Sequence, residues 1–342
     1  MCPSLSVALP SFFLYVTNAF GQVEVRVKNT VIAGSPVPEL QQEFFGGIPF
    51  AEAPIGTLRF TPPKLKLDPV VDVLNATQYS PACAQAVSGV GGDPTQINNT
   101  VQSEDCLTLN VVRPTGVSRG TPIIFVSLNY RLGPFGFPQG AEATVRGALN
   151  LGHKDVLAAL QWIQENIAAF GGDKNRVTVF GPCRAAIFES GSAASIPLLG
   201  GPTSNTAWDI LVSSVPECAG NPNNTIDCLR SASTETTLNA TEFVYTTYSQ
   251  IALSPVIDGP GGIIPALPSK LHAEGRFPHI PFIAGTNLDE GTTFAPPTIN
   301  VTEQILDLFY ADSESLKERI IELYPDDPAF GSPLEPETRR SA

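Results

Sequence analysis

Short apolar runs along the chain predict the strands of a sheet. Val23 to Ile32 alternates apolar and polar positions, the pattern of a half-buried strand. Three further runs have apolar centres and predict buried strands: Leu107–Val112, Pro122–Tyr130 and Val177–Phe180. Ile280–Gly285 predicts another strand, at the centre of the sheet.

Other apolar positions recur with the spacing of a helix. Four of them lie on one helical face: Val156, Leu160, Ile163 and Ile167. Gly171-Gly172 would end this helix, and Trp162 and Phe170 would pack it on the sheet. Two more helix-like runs are Glu303–Tyr310 and Glu314–Leu323.

The composition fits one large domain that is rich in loops. The chain has 342 residues, 42% hydrophobic and 15% charged, so it can bury a sizeable core. Its formal net charge of -13 argues against nucleic acid and against an anionic membrane surface, because both would repel it. The 32 prolines and 29 glycines show no period, so no repeat is predicted.

The first 21 residues predict a secretory signal peptide, which would leave residues 22–342 as the mature domain. Leu5–Phe20 is largely apolar, and Ala19-Phe20-Gly21 offers small residues before a cleavage point. No basic residue lies near Met1, so an ordinary apolar first strand is the alternative. Beyond this segment no run is long and apolar enough to span a bilayer.

Five Asn-x-Ser/Thr sequons also favour export, because glycans are attached to such sites in secreted proteins. The acceptor asparagines are Asn75, Asn98, Asn223, Asn239 and Asn300. We therefore expect an extracellular protein.

Two motifs carry a resemblance to a known family. Phe170-Gly171-Gly172, four further residues and then Val177–Gly181 resemble the approach to the active serine in the type-B carboxylesterase/lipase family. Glu104–Pro114 is similar to a second hallmark of that family along its whole length. The resemblance implies an α/β-hydrolase fold, with a central, mostly parallel sheet flanked by helices, and hydrolysis of carboxylic esters.

The same resemblance implies two disulfides, Cys83 with Cys106 and Cys218 with Cys228. Disulfides suit an oxidising compartment. Cys2 would leave with the signal peptide, so Cys183 would be left unpaired.

One catalytic residue is implied by the resemblance. The motif Gly285–Thr292 is similar to the family segment whose glutamate is the triad acid, and the match falls on Glu290. A solvated acidic loop or a carboxylate at a helix N-terminus is the alternative for Glu290.

The nucleophile is missing from its expected place. An α/β-hydrolase has Gly-x-Ser-x-Gly at a sharp strand-to-helix turn. This chain has Gly181-Pro182-Cys183-Arg184-Ala185, and Arg184–Ser192 already resembles the next strand of the family. We therefore expect that the turn and its helix are absent, and that Ser190 and Ser192 are structural.

The other catalytic parts are missing as well. Only Arg113–Thr121 separates two predicted strands where the family has a further strand and a glycine-rich oxyanion loop. The three histidines, His153, His272 and His279, all precede Glu290, whereas the triad order places the histidine after the acid. We interpret His272 and His279 as surface or packing residues.

Cys183 occupies the serine position by count, but we do not expect it to be a nucleophile. A thiolate needs an adjacent base, a cation or a helix N-terminus to lower its pKa. Arg184 is adjacent, yet no helix and no later histidine accompany it.

The sequence therefore predicts an incomplete member of the family, with blocks omitted near Arg119, after Cys183 and past Ala342. The full-length form would act on apolar carboxylic esters, whereas the given chain would be inactive and poorly soluble. The alternative is a non-catalytic, cholinesterase-like binding or adhesion protein. We expect no cofactor, no metal and no nucleic-acid partner, and the sequence does not indicate an oligomeric state.

Overall fold

The computed structural model describes residues 21–67, 71–88, 100–115, 122–179, 186–189, 206–220, 224–249, 251–285 and 314–323. The chain divides into two compact units. The first comprises Met1–Gly89, Asp93–Val177 and Leu198–Lys270, and the second comprises Val90–Gly92, Thr178–Pro197 and Leu271–Ala342.

The first unit is built on a six-stranded sheet. Its strands and those of a separate two-stranded pair are β1 Val23–Val27, β2 Thr30–Val37, β3 Gln42–Pro49, β4 Val73–Asn75, β5 Ala82–Cys83, β6 Gln102–Ser103, β7 Thr108–Pro114 and β8 Phe125–Leu128. The strand order of the large sheet is β1-β2-β3-β7-β8, with β4 paired to β2, and β5 pairs with β6.

Helices of this unit lie mainly after the sheet in the chain. They are α1 Gly133–Gly136, α2 Gly140–Val145, α3 Leu151–Asn166, α4 Thr206–Ser214, α5 Thr225–Ser231 and α6 Thr234–Thr247. A short helix, α7 Pro268–Ala273, spans the boundary between the two units. Three 3-10 turns are Pro38–Leu40, Gly56–Leu58 and Ile167–Phe170.

The second unit has fewer described elements. They are β9 Ala186–Glu189, β10 Phe282–Gly285 and α8 Glu314–Leu323. The two strands pair in parallel, and every residue of β10 is exposed. The predicted strand after Cys183 agrees with β9, and the predicted helix at Glu314–Leu323 agrees with α8, whereas residues 303–310 lie outside the described part of the chain. A strand is present within Ile280–Gly285, but its predicted place at the centre of the sheet is not confirmed, because among the described residues β10 pairs with β9 alone.

The strand directions correct one expectation. The described six-stranded sheet is mainly antiparallel, since only the β2–β4 pairing in it is parallel. The reason is local: Lys28-Asn29 joins β1 to β2, and a similarly short connection joins β2 to β3, whereas a parallel neighbour needs a crossover of a dozen or more residues. Parallel pairing occurs in β9–β10 and β5–β6.

The prediction of one strand across Val23–Ile32 was wrong. A hairpin turn at Lys28-Asn29 divides it into β1 and the start of β2, and Lys28 takes a positive φ of 50°. Alternation continues through a two-residue turn because both strands bury the same face of the sheet. The pattern alone therefore does not reveal the reversal.

A β-bulge shapes the pairing of β3 with β7. The register shifts between Phe45 and Ile48, where Gly46 and Gly47 lie. A Cβ at Gly46 would overlap the Phe44 ring and the Gln78 carbonyl oxygen, and Gly47 has a φ of 66°. Glycine is therefore required by close approach at one position and by backbone conformation at the other.

Two apolar clusters form the core of the first unit. One joins the sheet to α3, and the rings of Phe45 and Phe170 meet edge to face there at 5.3 Å. The predicted packing of Trp162 and Phe170 on the sheet is confirmed by their full burial in this cluster. The other cluster surrounds Trp208 and Leu211 of α4 and also contains Phe60.

Both disulfides implied by the resemblance are present. The cysteines of Cys83–Cys106 are separated by 23 positions in the sequence, and those of Cys218–Cys228 are separated by 10 positions. Closing loops removes conformational freedom from the unfolded chain, which stabilises this loop-rich fold.

The edge strand β8 exposes apolar side chains. Within the described residues it ends the ladder of the large sheet, and Phe125 is 55% exposed, with Ile123 beside it 77% exposed. An uncharged, apolar sheet edge is a site of association between molecules.

We predict that Phe125→Lys reduces aggregation of the purified chain several-fold, because a charge on an edge strand opposes pairing between copies. Light scattering against protein concentration measures the effect. Val145→Lys, at a helix position that is 87% exposed, adds the same charge away from the edge and should leave aggregation unchanged. Equal effects of the two substitutions would contradict the role of β8.

Candidate active site

The predicted catalytic positions lie outside the described residues. This holds for Glu290, for Cys183 and for Ser190 and Ser192. The sequons at Asn98, Asn223 and Asn300 lie outside them as well, and those at Asn75 and Asn239 lie at exposed positions. The assignments to Glu290 and Cys183 therefore stay predictions.

The approach to the expected nucleophile is described as far as Val179. Gly171 ends the 3-10 turn with a φ of 87°, a conformation that glycine adopts readily. Asp173 then makes a tight turn, in which its carbonyl oxygen accepts from the Arg176 N–H and its Oδ1 accepts from the Asn175 N–H. Val177 packs against the sheet core. Residues 177–179 form no regular strand, so the predicted strand is not confirmed in its described part.

His153 is held in an apolar setting on α3. Its ring meets Phe137 edge to face at 5.7 Å, and its Nδ1 has no hydrogen-bond partner among the described residues. Burial lowers the pKa of His153 below its ordinary value of 6.5, and the negative charge of Asp258 only partly opposes this. A neutral imidazole is therefore favoured in the folded protein.

The other two histidines lie in the second unit at exposed positions. His272 stacks on one side of Phe277 at 4.8 Å, and His279 contacts the same ring at 4.8 Å. These contacts agree with the interpretation of both as surface or packing residues.

A buried ion pair joins Arg59 to Glu104. Arg59 Nε donates to Glu104 Oε2 at 2.7 Å, and Nη2 donates to Oε1. The remaining nitrogen, Nη1, donates to the carbonyl oxygens of Leu229 at 3.0 Å and Ala232 at 2.6 Å. Those carbonyls lie at the C-terminal end of α5, where a cation is favoured by the helix dipole. The pair thus fixes α5 to the segment that carries Cys106.

A second and deeper ion pair joins Arg131 to Asp155. The two side chains are 4% and 0% exposed, and the guanidinium donates two parallel hydrogen bonds, of 2.8 Å to Oδ2 and 2.7 Å to Oδ1. The Arg131 backbone N–H adds a third at 3.1 Å, and Nη1 donates to the Thr61 carbonyl oxygen at 2.9 Å. The pair holds the segment after β8 against α3.

The space between these ion pairs is too small for a substrate. A cavity of about 10 Å³ is lined by Arg59, Glu104, Arg131, Phe135 and the Cys83–Cys106 disulfide, among others. That volume holds about one water molecule. We therefore interpret the ion pairs as a supporting frame, which orients strands and helices.

A larger cleft lies at the end of β7. Its volume is about 300 Å³, and Pro122, Ile124 and Phe170 line its apolar part. Glu43 and Arg113 line its polar part and pair with each other at 2.6 Å. The cleft adjoins both Pro114, the last residue of β7, and Pro122, which precedes β8.

Sequence reasoning assigned no role to the residues of the frame. Glu104 begins the family-like motif Glu104–Pro114, and Asp155 directly precedes Val156 in the predicted helix. The usable signal at Asp155 was its helical spacing from Leu151 and Ala159, which puts a charged side chain on an apolar helix face, where it is buried only with a partner. The pattern does not reveal which acid meets which arginine.

Among the described residues there is neither a membrane-spanning helix nor a metal site. No helix among them combines the length and the apolar character needed to cross a bilayer. No group of histidine, cysteine and carboxylate side chains among them is arranged to hold a metal ion.

Comparison with known sequences identifies related proteins. The family model described as "Carboxylesterase family" matches residues 21–125 and 115–327. Secreted lipase 1 of Botryotinia fuckeliana (strain B05.10) is 30% identical over 431 aligned positions, covering 98% of this chain and 74% of the relative. Lipase 2 of Geotrichum candidum is 30% identical over 399 positions, covering 90% and 70%.

Solved structures of esterases are similar to this chain in fold. A PNB esterase matches with a TM-score of 0.70 at 28% identity, covering 88% of this chain and 72% of that one. Aspergillus niger EstA matches with a TM-score of 0.74 at 21% identity, covering 90% and 68%, which supports the fold. The expected α/β-hydrolase fold is confirmed by these neighbours.

We predict that Asp155→Ala lowers the free energy of unfolding by about 3–5 kcal/mol, because it leaves Arg131 charged and unpaired in the interior. Urea unfolding followed by the fluorescence of the buried Trp162 and Trp208 measures the loss. Glu52→Ala removes the half-exposed partner of Lys66 and should cost below about 1 kcal/mol. Similar losses for the two variants would contradict the supporting role of the buried pair.

We also predict an acid-sensitive contribution from His153. Since its pKa is lowered by folding, the unfolded chain binds the proton more readily, and stability declines as the pH falls below 6.5. His153→Gln should make the decline between about pH 7 and about pH 5 shallower. Unfolding in urea at a series of pH values measures the slope, with His272→Gln as the exposed control. An unchanged slope for His153→Gln would refute the prediction.

Proposed function

The chain belongs to the carboxylesterase family, and on that premise we propose that it derives from a secreted serine esterase or lipase. In its full-length form a serine would attack the ester carbonyl, the alcohol would leave, and water would hydrolyse the acyl-enzyme. Glu290 would orient the histidine that moves the protons and would stabilise its charged form. The relatives named as lipases and esterases support carboxylic esters as the substrate class.

We further propose that the given chain does not hydrolyse esters. The observation that carries this proposal is the position of β9, which begins at Ala186. Only Arg184 and Ala185 separate this strand from Cys183, the residue at the serine position by count. A helix needs more residues than that, so a helix that supports the nucleophile has no room there.

The short connection between β7 and β8 supports the same proposal. The two strands pair directly and antiparallel, and the cleft of about 300 Å³ lies where β7 ends, lined by Pro114, Pro122 and Ile124. The family model matches the chain in two segments, and these segments overlap at residues 115–125, which include the connection. The alignment with Secreted lipase 1 runs over 431 positions, more than the 342 residues of this chain, so the relative has residues where this chain has none.

The expected loss of rate is large. Removing one oxyanion donor costs about 10²–10³ in rate, and removing the serine of a comparable triad costs about 10⁶. A lone carboxylate at Glu290 supplies neither the nucleophile nor the oxyanion donors.

We propose that the protein is secreted, with residues 1–21 as its signal peptide and 22–342 as a partial esterase domain. Two disulfides suit an oxidising compartment, and two of the relatives are named as secreted lipases. The acidic net charge of -13 is compatible with a small-molecule ester partner and unfavourable for nucleic acid.

We predict that the purified chain hydrolyses a nitrophenyl ester no faster than buffer. The release of nitrophenol measures the rate, and Secreted lipase 1 of Botryotinia fuckeliana serves as the positive control. Cys183→Ala should behave as the parent chain does. Turnover by the parent that disappears in Cys183→Ala would overturn the proposal and establish a cysteine hydrolase.

Glu290→Gln tests whether the predicted triad acid contributes to any turnover that does not depend on Cys183. It should leave the background rate unchanged, since an isolated triad acid has no histidine to orient. Turnover that survives Cys183→Ala but disappears in Glu290→Gln would reveal catalysis by a different nucleophile and would also contradict inactivity.

A further inference from the structure

The short strand β4 has a free edge and exposed side chains at two of its three positions. It pairs with β2 and with no other strand among the described residues. Val73 is 61% exposed, and Asn75, two residues further along, is exposed as well. Residues two apart in a strand project from the same face, so Val73 and Asn75 share the outer face while Leu74 is half-buried.

The side chain of Asn75 has a fixed orientation. Its Oδ1 accepts a hydrogen bond from the Thr77 N–H at 3.2 Å and another from the Thr77 hydroxyl at 2.8 Å. A backbone N–H can only donate, so the atom that faces Thr77 is the amide oxygen. The amide nitrogen, Nδ2, therefore points away and makes no hydrogen bond within the described part of the chain.

We propose that Asn75 carries an N-linked oligosaccharide that covers the outer face of β4. The proposal rests on export of the chain. Asn75-Ala76-Thr77 is a sequon, and its acceptor nitrogen is free at the surface. A glycan there projects from the same side as Val73, so it shields an exposed apolar side chain on a free sheet edge.

The modification transfers an oligosaccharide from a lipid diphosphate to Asn75. The donor is an oligosaccharide joined through its anomeric carbon to a lipid diphosphate. Asn75 Nδ2 forms a bond to that carbon, the bond from the carbon to the phosphate oxygen breaks, and the lipid diphosphate leaves. Nδ2 gives up one proton to a base of the transferase, and no oxidation or reduction takes place.

The other described sequon provides a contrast. Asn239 lies inside α6, and Thr241, the third residue of its sequon, is 0% exposed and donates its hydroxyl to the Thr237 carbonyl oxygen at 2.7 Å. A transferase must reach both the asparagine and the hydroxyl residue, so this sequon is accessible only before α6 forms. Asn75 stays accessible at a turn, and we expect it to be modified to the greater extent.

Mass spectrometry of the chain expressed in a secreting eukaryotic host tests the proposal. A proven foreign signal peptide directs one sample to the secretory pathway, and the native residues 1–21 direct a parallel sample. Chymotryptic cleavage after Tyr79 separates Asn75 from Asn98, and tryptic cleavage after Arg230 separates Asn223 from Asn239, so each sequon is read on its own peptide. Enzymatic release of the glycan then converts each modified asparagine to aspartate.

Four variants make the assignment specific. Asn75→Gln and Thr77→Ala both destroy the sequon and should abolish the glycan on the Asn75 peptide. Thr77→Ser preserves the sequon and should retain it. Asn239→Gln is the matched control and should leave occupancy at Asn75 unchanged. Asn75→Gln, but not Asn239→Gln, should also increase light scattering of the secreted material.

The occupancy of Asn75 and Asn239 under the two signal peptides decides the outcome. An unmodified Asn75 under the foreign signal peptide, or greater occupancy at Asn239 than at Asn75, overturns the proposal. A glycan at Asn75 under the foreign signal peptide but not under the native one supports this site and contradicts the proposed signal peptide. The failure of the site and the failure of the proposed export are thus distinguished.

Discussion

The fold of the first unit depends on burying two arginines only where a carboxylate meets each of them. An unpaired charge in the interior costs several kcal/mol, so Arg131 and Asp155 constrain the elements that carry them to one arrangement. Arg59 and Glu104 impose the same condition between α5 and the segment of the Cys83–Cys106 disulfide. The frame is therefore specified by paired charges as much as by apolar packing.

The frame forms although the sequence lacks a serine turn after Gly181 and a glycine-rich loop between β7 and β8. The described contacts that hold the first unit together include the two ion pairs and the packing of Phe45 on Phe170. Exposed apolar side chains lie on two short strands: β8 exposes Phe125, and β10 exposes Phe282.

Periodicity predicted α3 and its packing because one apolar face of a long helix leaves a clear signal. It missed the turn at Lys28-Asn29, since alternation is the same on both sides of a hairpin. The disulfides came from the family resemblance, because spacing alone does not fix which cysteines pair. Strand direction in the large sheet and the partners of Arg59 and Arg131 depend on contacts between distant segments. No local pattern encodes those contacts.

We propose that this chain is an esterase domain from which interior blocks of sequence were omitted. Sequencing the expressed message across the codons for Arg119–Gly120 and Cys183–Arg184 tests it most directly. The account predicts a longer message that encodes a strand and glycine-rich loop at the first junction and a serine turn with its helix at the second. A message that matches this chain at both junctions would contradict the account and favour a non-catalytic binding protein.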